Sequence, residues 1–290
     1  MRTMQPQPQF SDLRPGLVRL AYRMLGSIAD AEDVVQDAWL RWLSSDRETV
    51  REPAAFLRTI VTRLCLNELK SARRRRETYM GPWLPEPIVE PDDCDPIDDI
   101  TLPLMVALER LSPLERAAFL LHDVFGMGFD DVAAAIGRKS ATCRKLASRA
   151  RTRIHDARPR FSTDRERGRE IAAAFYDASR SGDLRALRTL LADDIVAYAD
   201  GGGEVPATIM PAVGLDAVVT LFRALARYFA KAPSRLIRLA SVDGLPGFVS
   251  MEGSNVLQTT ALHIEDHKIV AIYVTRNPRK LRHLCGRESC

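Results

Sequence analysis

Arginine and lysine residues supply the most distinctive chemistry of this sequence, because their side chains hold phosphates and donate hydrogen bonds to base edges. Arg144, Lys145 and Arg149 fall largely outside the apolar stripe of one predicted helix. An earlier run, Arg73–Arg76, places four cationic groups in succession, which favours a polyanionic partner over a flexible basic tail. The two clusters together predict contact with nucleic acid.

Four side chains of the C-terminal half are candidates for acid–base catalysis. The candidates are Tyr198, Asp200, His263 and Tyr273, and proton abstraction would need one carboxylate or histidine poised near neutral pH. They form no convincing acid–base pair. The five cysteines are scattered without a metal-ligand spacing, which fits reduced thiols in a cytoplasm. We therefore predict a cytoplasmic protein that is not an enzyme, with no catalytic residue, no metal and no cofactor.

A helix-turn-helix within Leu111–Ile154 must position the later basic cluster. Ser112-Pro113-Leu114-Glu115 has the pattern of a capping box, Gly137 is suited to end the middle helix, and Ser140 to cap the last one. The apolar stripe of the last helix consists of Cys143, Leu146, Ala147, Ala150 and Ile154. A recognition helix needs one such buried side and one basic side. The alternative is an ordinary amphipathic helix with a solvated basic face.

The length of 290 residues predicts about two domains. The net charge of +4 is mild, so only the local clusters indicate nucleic acid. We find no signal peptide and no apolar run of about 18 residues that could span a bilayer, so no membrane partner is expected.

Three helices are predicted before the acidic, proline-rich segment 79–102. They cover Leu17–Leu25, Ala31–Leu43 with Asp30 as N-cap, and a third beginning at Pro53. The buried stripe of the second helix is expected to be Ala31, Val35, Ala38, Trp39 and Trp42, which leaves an acidic face opposite. Segment 79–102 should be an extended linker, too polar to pack by itself, although its apolar residues 83–87 should dock against another part of the chain.

The C-terminal half has a different pattern, with helices first and strands after them. Helices are predicted at Arg169–Ser179, Leu184–Leu191 and Ala217–Phe229, and strands at Ile195–Ala199, Phe248–Met251, Val256–Ile264 and Ile269–Val274. Asp266-His267 should form the last turn. This order indicates a small α+β domain with a curved antiparallel sheet, and such a sheet usually folds around a pocket.

These motifs resemble the bacterial extracytoplasmic-function (ECF) sigma factors, in the subgroup that carries a SnoaL-like C-terminal domain. Residues 30–38 resemble their polymerase-binding signature in region 2, and Leu111–Ile154 resembles region 4. The resemblance implies a multidomain fold with two all-α sigma domains followed by an α+β SnoaL-like domain. The expected boundaries are 10–78 for region 2, 79–102 for the linker, 103–160 for region 4 and 165–284 for the SnoaL-like domain.

The resemblance also implies partners for each surface. The β′ clamp helices of core RNA polymerase would meet Asp30, Glu32, Asp33, Gln36 and Asp37. The β flap is the other part of the polymerase that the resemblance implies as a partner. The −10 promoter element would meet Arg58, Arg63, Asn67, Lys70, Arg73, Arg74, Arg75 and Arg76. The −35 element would meet Arg138, Lys139, Ser140, Arg144, Lys145, Ser148 and Arg149.

Three short motifs resemble those of the subgroup, and we expect them to form regulatory contacts between domains. Their residues are Trp83, Leu84, Pro85, Asp200, Gly201, Gly202, Gly203, Asn277, Pro278, Lys280 and Leu281. In the family pattern, a basic residue follows the glycines and an acidic residue precedes the lysine of the Asn-Pro motif. In this sequence Glu204 follows Gly203 and Arg279 precedes Lys280, so both charges are reversed. If the two loops meet, this pair could survive as a charge swap.

The resemblance therefore predicts a sigma factor that directs promoter-specific initiation under the control of its own C-terminal domain. Two alternatives stay open. One is a helix-turn-helix regulator that works without polymerase. The other is a C-terminal domain that senses a small-molecule ligand or acts as a cyclase or isomerase, since a fold does not fix a function.

Overall fold

The computed structural model describes residues 10–46, 50, 52–77, 79–90, 101–154, 164–253 and 255–285, apart from the side chains of residues 71–77 and 285. The chain forms two compact units. The first contains residues 1–77 and 107–157, and the second contains residues 78–106 and 158–290. In the described residues, no helix is both long enough and apolar enough to cross a bilayer.

The first unit begins with α1 (Phe10–Leu25), α2 (Ile28–Leu43) and α3 (Pro53–Glu77). Gly26 follows α1 with a φ of 70°, a backbone conformation that favours glycine. The N-cap of α2 is Ser27 rather than the predicted Asp30: the Ser27 Oγ accepts a hydrogen bond from the Asp30 N–H at 3.2 Å. Asp30 therefore lies in the first turn, where the positive end of the helix dipole stabilises its carboxylate.

The apolar sides of these helices form the core of the N-terminal part. Leu20, Met24, Val35, Leu57 and Cys65 are buried there. The expected stripe of α2 was wrong at one place, because Val34 is buried and Trp39 is half-buried. The Trp39 ring packs instead on Phe10 of α1, at 4.4 Å between centroids.

The helix-turn-helix region consists of α5 (Pro113–Phe119) with a π-helical continuation over Leu120–Val124, α6 (Phe129–Ile136) and α7 (Ser140–Ile154). Helix α4 (Leu102–Leu108) precedes it, and residues 102–106 of this helix belong to the second unit. The predicted capping box is present: Ser112 N–H donates to Glu115 Oε2 at 3.0 Å, and Glu115 N–H donates to Ser112 Oγ at 3.4 Å. Burial raises the pKa of Glu115, but the Ser112 hydrogen bonds and the Arg153 charge outweigh this effect and hold the pKa below its usual value.

The start of α7 differs from the prediction by one residue. Ser140 is the first helical residue, and the carbonyl of Lys139 accepts hydrogen bonds from the Thr142 and Cys143 N–H groups at 2.8 and 3.1 Å. Ser140 is therefore not the cap. Gly137 ends α6 in the left-handed conformation, as its position predicted.

Two arginines pack the helix-turn-helix against the N-terminal helices within the first unit. Arg116, which is 2% exposed, donates to the Met24 carbonyl at 2.7 Å and to Glu109 Oε1 at 2.8 Å. Arg63 of α3 donates to the carbonyls of Ala134 and Ala135 at the end of α6, at 2.8 and 3.2 Å. A cation suits this place because helix carbonyls at a C-terminus lack intrahelical partners.

The second unit contains α8 (Arg165–Ser181), α9 (Leu184–Leu190), α10 (Leu215–Phe229) and α11 (Arg282–Cys285). Its strands are β1 (Val89–Glu90), β2 (Leu191–Asp200), β3 (Ala212–Val213), β4 (Ser234–Val242), β5 (Leu245–Glu252), β6 (Val256–Glu265) and β7 (Lys268–Thr275). They form a sheet in the order β1-β4-β5-β6-β7-β2-β3. The sheet is mixed rather than purely antiparallel, because β2 runs parallel to β7.

Side chains alternate between two buried faces along the central strands. One face carries Phe248, Leu262 and Ile272 and packs against α8, α9 and α10. The other face packs against Leu84 and Leu284, which flank the sheet in sequence. Segment 79–90 is thus not an isolated linker: Leu84 is buried, and β1 adds to the edge of the sheet beside β4.

Candidate functional site

The acidic face of α2 is the first candidate surface. Glu32, Asp33, Gln36 and Asp37 are exposed, whereas Asp30 is half-buried in the first turn. The helix buries its opposite side, so this face is turned outward by the packing of the apolar stripe. The Arg14 Nη2 of α1 lies 3.7 Å from Glu32 Oε1. This ion pair is weak because both side chains are exposed to solvent.

Two apolar side chains continue this face and were missed by the sequence reasoning. Leu40 is 55% exposed and Leu43 is 45% exposed, on the last two turns of α2. They follow Gln36 at spacings of four and seven residues, which is the signal that could have found them. An exposed leucine pair beside carboxylates has the mixed character of a protein-binding surface.

The predicted −10 residues lie along α3, but the structure gives them different environments. Arg58 is half-buried, Asn67 and Lys70 are exposed, and Arg63 is bound to the end of α6. Arg73–Arg76 belong to the last turns of α3, and their side chains lie outside the described residues. The Arg63 side chain is exposed, and its Nε and Nη2 donate to two carbonyls at the end of α6, so a contact with DNA would use its remaining N–H groups.

The predicted −35 residues gather on the outer side of the turn before α7 and on α7 itself. The exposed members are Arg138, Lys139, Arg144, Lys145, Ser148 and Arg149, while Ser140 is half-buried. The Arg144 guanidinium lies over the Phe129 ring of α6 at 5.4 Å. This stacking holds one arginine of the surface in a defined position.

Two further arginines of α7 form ion pairs with acidic residues of the preceding helical segment. Arg151 pairs with Asp123 at 2.6 Å, and Arg153 pairs with Glu115 at 2.7 Å. The buried side of α7 comprises Cys143, Ala147, Ala150 and Ile154, as predicted, with Leu146 half-buried. The helix therefore combines a core side, an internal ion-pair edge and an exposed basic surface.

The three short motifs meet in the second unit, in a group that we call the motif cluster: Tyr79, Trp83, Leu84, Asp200, Asn277 and Lys280. Its centre is the ion pair between Lys280 Nζ and Asp200 Oδ2 at 2.7 Å, in which Asp200 is fully buried. The same Asp200 oxygen accepts the Leu84 N–H at 2.9 Å. Lys280 also donates to the Leu84 carbonyl. Segment 79–90 is thereby fixed to the C-terminal domain through one buried acid and one buried base.

Aromatic rings and an amide complete the motif cluster. Lys280 Nζ lies 4.0 Å from the centroid of the Trp83 ring. Tyr79 OH donates to Asp200 Oδ1, and Asn277 Nδ2 donates to the Tyr79 oxygen at 2.8 Å. Burial and the Asp200 charge raise the pKa of Tyr79, so it stays a neutral donor. Sequence reasoning missed Tyr79, which lies four residues before the recognised motif.

The glycines of the motif allow the loop after Asp200 to approach its neighbours. A Cβ added at Gly202 would lie 2.3 Å from Asn277 Nδ2, and one at Gly201 would lie 2.2 Å from the Val205 carbonyl oxygen. Gly202 also has a φ of 65°. The remaining motif residues comprise Pro85 and Leu281, which are buried, and Gly203 and Pro278, which are exposed.

The two loops with reversed charges do meet, because Arg279 Nε pairs with Glu204 Oε1. We expect Glu204→Arg and Arg279→Glu each to weaken the attachment of segment 79–90, and the double substitution to restore it. The coupling should be small, about 0.2–1 kcal/mol, since exposed ion pairs are screened by solvent. Hydrogen exchange of the segment in a double-mutant cycle measures this coupling.

The matched control for this cycle is Arg282→Glu, which changes an exposed arginine of α11 outside the pair. It should show no coupling with Glu204→Arg. If the paired substitutions also show none, the charge swap has no role in holding the loops together.

The structure does not bring the four acid–base candidates into one pocket. A cavity of about 580 Å³ lies in the C-terminal domain, and Tyr198 lines it, whereas Asp200, His263 and Tyr273 do not. The Tyr198 ring stacks on Tyr273 at 5.3 Å. His263 is buried 3.4 Å from Glu265, and burial lowers its pKa. Asp200 belongs to the motif cluster.

Comparisons with known proteins cover nearly the whole chain. The family model described as Sigma-70 region 2 matches residues 10–75, and that described as Sigma-70, region 4 matches residues 101–154. The chain is 37% identical to the ECF RNA polymerase sigma factor SigJ of Mycobacterium tuberculosis, over 94% of this chain and 92% of that protein. It is 34% identical to the probable ECF RNA polymerase sigma factor SigI of the same organism, over 92% of each.

A solved structure agrees with these sequence matches. The crystal structure of M. tuberculosis SigJ superimposes with a TM-score of 0.76 at 34% identity, covering 94% of this chain and 97% of that one. The likeness therefore includes the C-terminal domain as well as the helical regions. With its region 2 and region 4 matches and relatives that span its length, this chain belongs to the ECF RNA polymerase sigma factors.

Proposed function

We propose that this sigma factor uses the acidic face of α2 to bind core RNA polymerase, and the basic surfaces of α3 and α7 to bind promoter DNA. Membership of the ECF sigma factors carries the general function, which is promoter-specific initiation with core polymerase. It acts in the cytoplasm, where bacterial DNA and polymerase lie. The β′ clamp helices are the proposed partner of α2, and the β flap that of the helix-turn-helix.

The exposed face of α2 supports the polymerase contact. Its carboxylates offer charge complementarity to a basic partner, and Leu40 and Leu43 add apolar area at one end. On α7, the exposed residues Arg144, Lys145 and Arg149 can reach base edges, while the other arginines of the helix pair internally.

We also propose that the C-terminal domain controls this activity through residues 79–90. In sequence, this segment connects the last turns of α3 with the helix-turn-helix, so its attachment restrains the connection between the two DNA-binding surfaces. The observation that carries this proposal is the buried Asp200–Lys280 pair, which binds the backbone of Leu84 on both its N–H and its carbonyl. A change in that attachment should alter transcription.

Polymerase binding tests the first part of the proposal. We expect Asp33→Lys/Asp37→Lys to weaken binding to core RNA polymerase by about tenfold or more, because it places like charges against a basic partner. Fluorescence anisotropy of the labelled full-length chain measures the affinity. Asp177→Lys/Asp194→Lys is the matched control, since these two acids are exposed in the C-terminal domain.

Both variants leave the buried stripe of α2 intact, so circular dichroism should show an unchanged fold. Equal affinities of the α2 variant and the control would contradict the proposed contact. A wild-type chain that binds DNA but not polymerase would instead favour the helix-turn-helix regulator that works alone.

A further inference from the structure

The cavity of the C-terminal domain has walls that are mostly apolar and a few polar groups. It measures about 580 Å³ and lies between α8, α10 and one face of the sheet, with Phe175, Leu225 and Ile272 among its apolar residues. Ligand pockets have this size and character. The motif cluster does not use the cavity, and neither do the DNA-binding surfaces proposed above.

Two residues that line the cavity each carry a buried polar atom with no hydrogen-bond partner within the described residues. The atoms are the Arg276 Nε and the Thr208 Oγ1. The Arg276 Nη1 already donates to the Pro206 carbonyl at 2.7 Å, which fixes the side chain and leaves its Nε–H unsatisfied. Buried polar groups are normally paired, so an acceptor from outside the chain would satisfy both atoms.

The charges at the cavity indicate the sign of that partner. Arg180 and Arg276 both line it, whereas Glu252 pairs with Arg180 and supplies the negative charge near them. Two cations and one anion leave one positive charge. Burial lowers the pKa of Arg276, which reflects the cost of holding a cation away from water. An anionic oxygen at its Nε–H would offset that cost.

We propose that this cavity binds a small organic acid, with an apolar body against the aromatic and aliphatic walls and one carboxylate at Arg276 and Thr208. A single negative charge matches the excess positive charge. A neutral apolar molecule would leave the Arg276 Nε–H unsatisfied, and a highly charged one would lose its hydration against apolar walls.

The position of Thr208 links this site to segment 79–90. A Cβ added at Gly81 would lie 3.6 Å from the Thr208 carbonyl oxygen, so segment 79–90 lies directly against the loop that lines the cavity. An acid held at Thr208 would therefore stabilise a loop that contacts the segment. The binding itself does not depend on the sigma-factor function, and it is tested without polymerase or DNA.

Calorimetric titration of the full-length chain tests the proposal with defined probes. The probes are octanoate, dodecanoate, 3-phenylpropionate and 2-naphthoate, each compared with its own amide. We expect at least one acid to bind saturably with a stoichiometry of one, and about tenfold or more tightly than its amide, because an ionised acceptor makes the stronger hydrogen bond.

Variants assign that binding to the cavity. Thr208→Val keeps the side-chain shape and should weaken binding of the acid several-fold. Arg276→Gln should reduce it to the level of the amide, whereas Arg227→Gln, an exposed arginine of α10 that does not line the cavity, should leave it unchanged. Thermal unfolding without ligand shows whether each variant folds. If Arg276→Gln does not fold, Thr208→Val still tests whether the acid binds in this cavity.

Three results would overturn the proposal. They are no saturable binding by any of the four acids, equal affinity of every acid and its amide, and an affinity that Thr208→Val and Arg276→Gln leave unchanged although both variants fold. Failure of polymerase binding would have no bearing on these measurements.

Discussion

Replacing Asp200 by asparagine is expected to lower the free energy of unfolding of the C-terminal domain by about 3–5 kcal/mol, the cost of breaking a buried ion pair from one side. Asp200 is fully buried, and Lys280 would be left as a buried cation without its counter-charge. The Tyr79 hydroxyl and the Leu84 N–H would also lose a charged acceptor. Urea unfolding measures the loss, and hydrogen exchange at Leu84 reports the release of segment 79–90.

A double-mutant cycle separates the contribution of the ion pair to the free energy of unfolding from the contribution of side-chain packing. Asp200→Asn/Lys280→Met should recover part of the stability, because a neutral pair needs no compensation for desolvated charge. The control is Asp177→Asn, which changes an exposed acid of α8 and should alter stability by no more than about 0.5 kcal/mol. A loss for Asp200→Asn as small as that of the control would show that the motif cluster does not hold the segment.

Removing two exposed basic side chains of α7 should reduce promoter recognition. We expect Lys145→Ala/Arg149→Ala to lower the preference for −35 DNA over scrambled DNA by about tenfold or more, since each good base contact contributes about 1–3 kcal/mol of discrimination. Both residues lie on the exposed side of the helix, so the fold should persist. Competition binding with the two DNA duplexes measures this ratio.

The same helix offers a matched control with the same loss of charge. Arg151→Ala/Arg153→Ala removes two arginines that pair with Asp123 and Glu115. It should lower the stability of the helix-turn-helix and weaken binding to all DNA, while the preference for −35 DNA stays the same. If the control changes the preference and Lys145→Ala/Arg149→Ala does not, the proposed recognition surface is on the wrong side of α7.

Local signals predicted the helix-turn-helix well because each has one physical meaning. The Ser112–Glu115 spacing forms its capping box, and Gly137 ends α6 with a positive φ. The N-cap of a helix is harder to predict where two candidate residues lie close together in sequence. Ser27 and Asp30 can both accept a backbone hydrogen bond, and the turn after Gly26 decides between them by placing Ser27 in extended backbone.

Elements without a regular pattern were missed. Strand β4 carries Arg235 and Arg238 and has an irregularity in its register between Leu236 and Arg238, so the alternation that marks a strand is broken. Helix α8 begins at Arg165, four residues earlier than predicted, within a charged stretch that gave no apolar period. The parallel pairing of β2 with β7 depends on tertiary contacts that no local pattern records.

The family resemblance grouped the three motifs as regulatory residues, but it left open whether their loops meet and gave no account of the chemistry between them. Sequence reasoning could not show that Asp200 and Lys280 bind the backbone of Leu84, because the contact spans more than a hundred residues. Tyr79 was missed for the same reason. The cavity residues Arg276 and Thr208 were also missed, since the search for acid–base pairs favoured histidine and tyrosine in strands.

Run-off transcription from genomic fragments, with core RNA polymerase and the full-length chain, tests the central claim most directly. The wild-type chain should give promoter-specific transcripts, Asp33→Lys/Asp37→Lys and Lys145→Ala/Arg149→Ala should reduce them, and Asp200→Asn should change their yield. A higher yield for Asp200→Asn would identify the attached segment as inhibitory, and a lower yield would identify it as assisting. A folded wild-type chain that gives no promoter-specific transcript, or an Asp200→Asn yield equal to that of the wild type, would contradict the account.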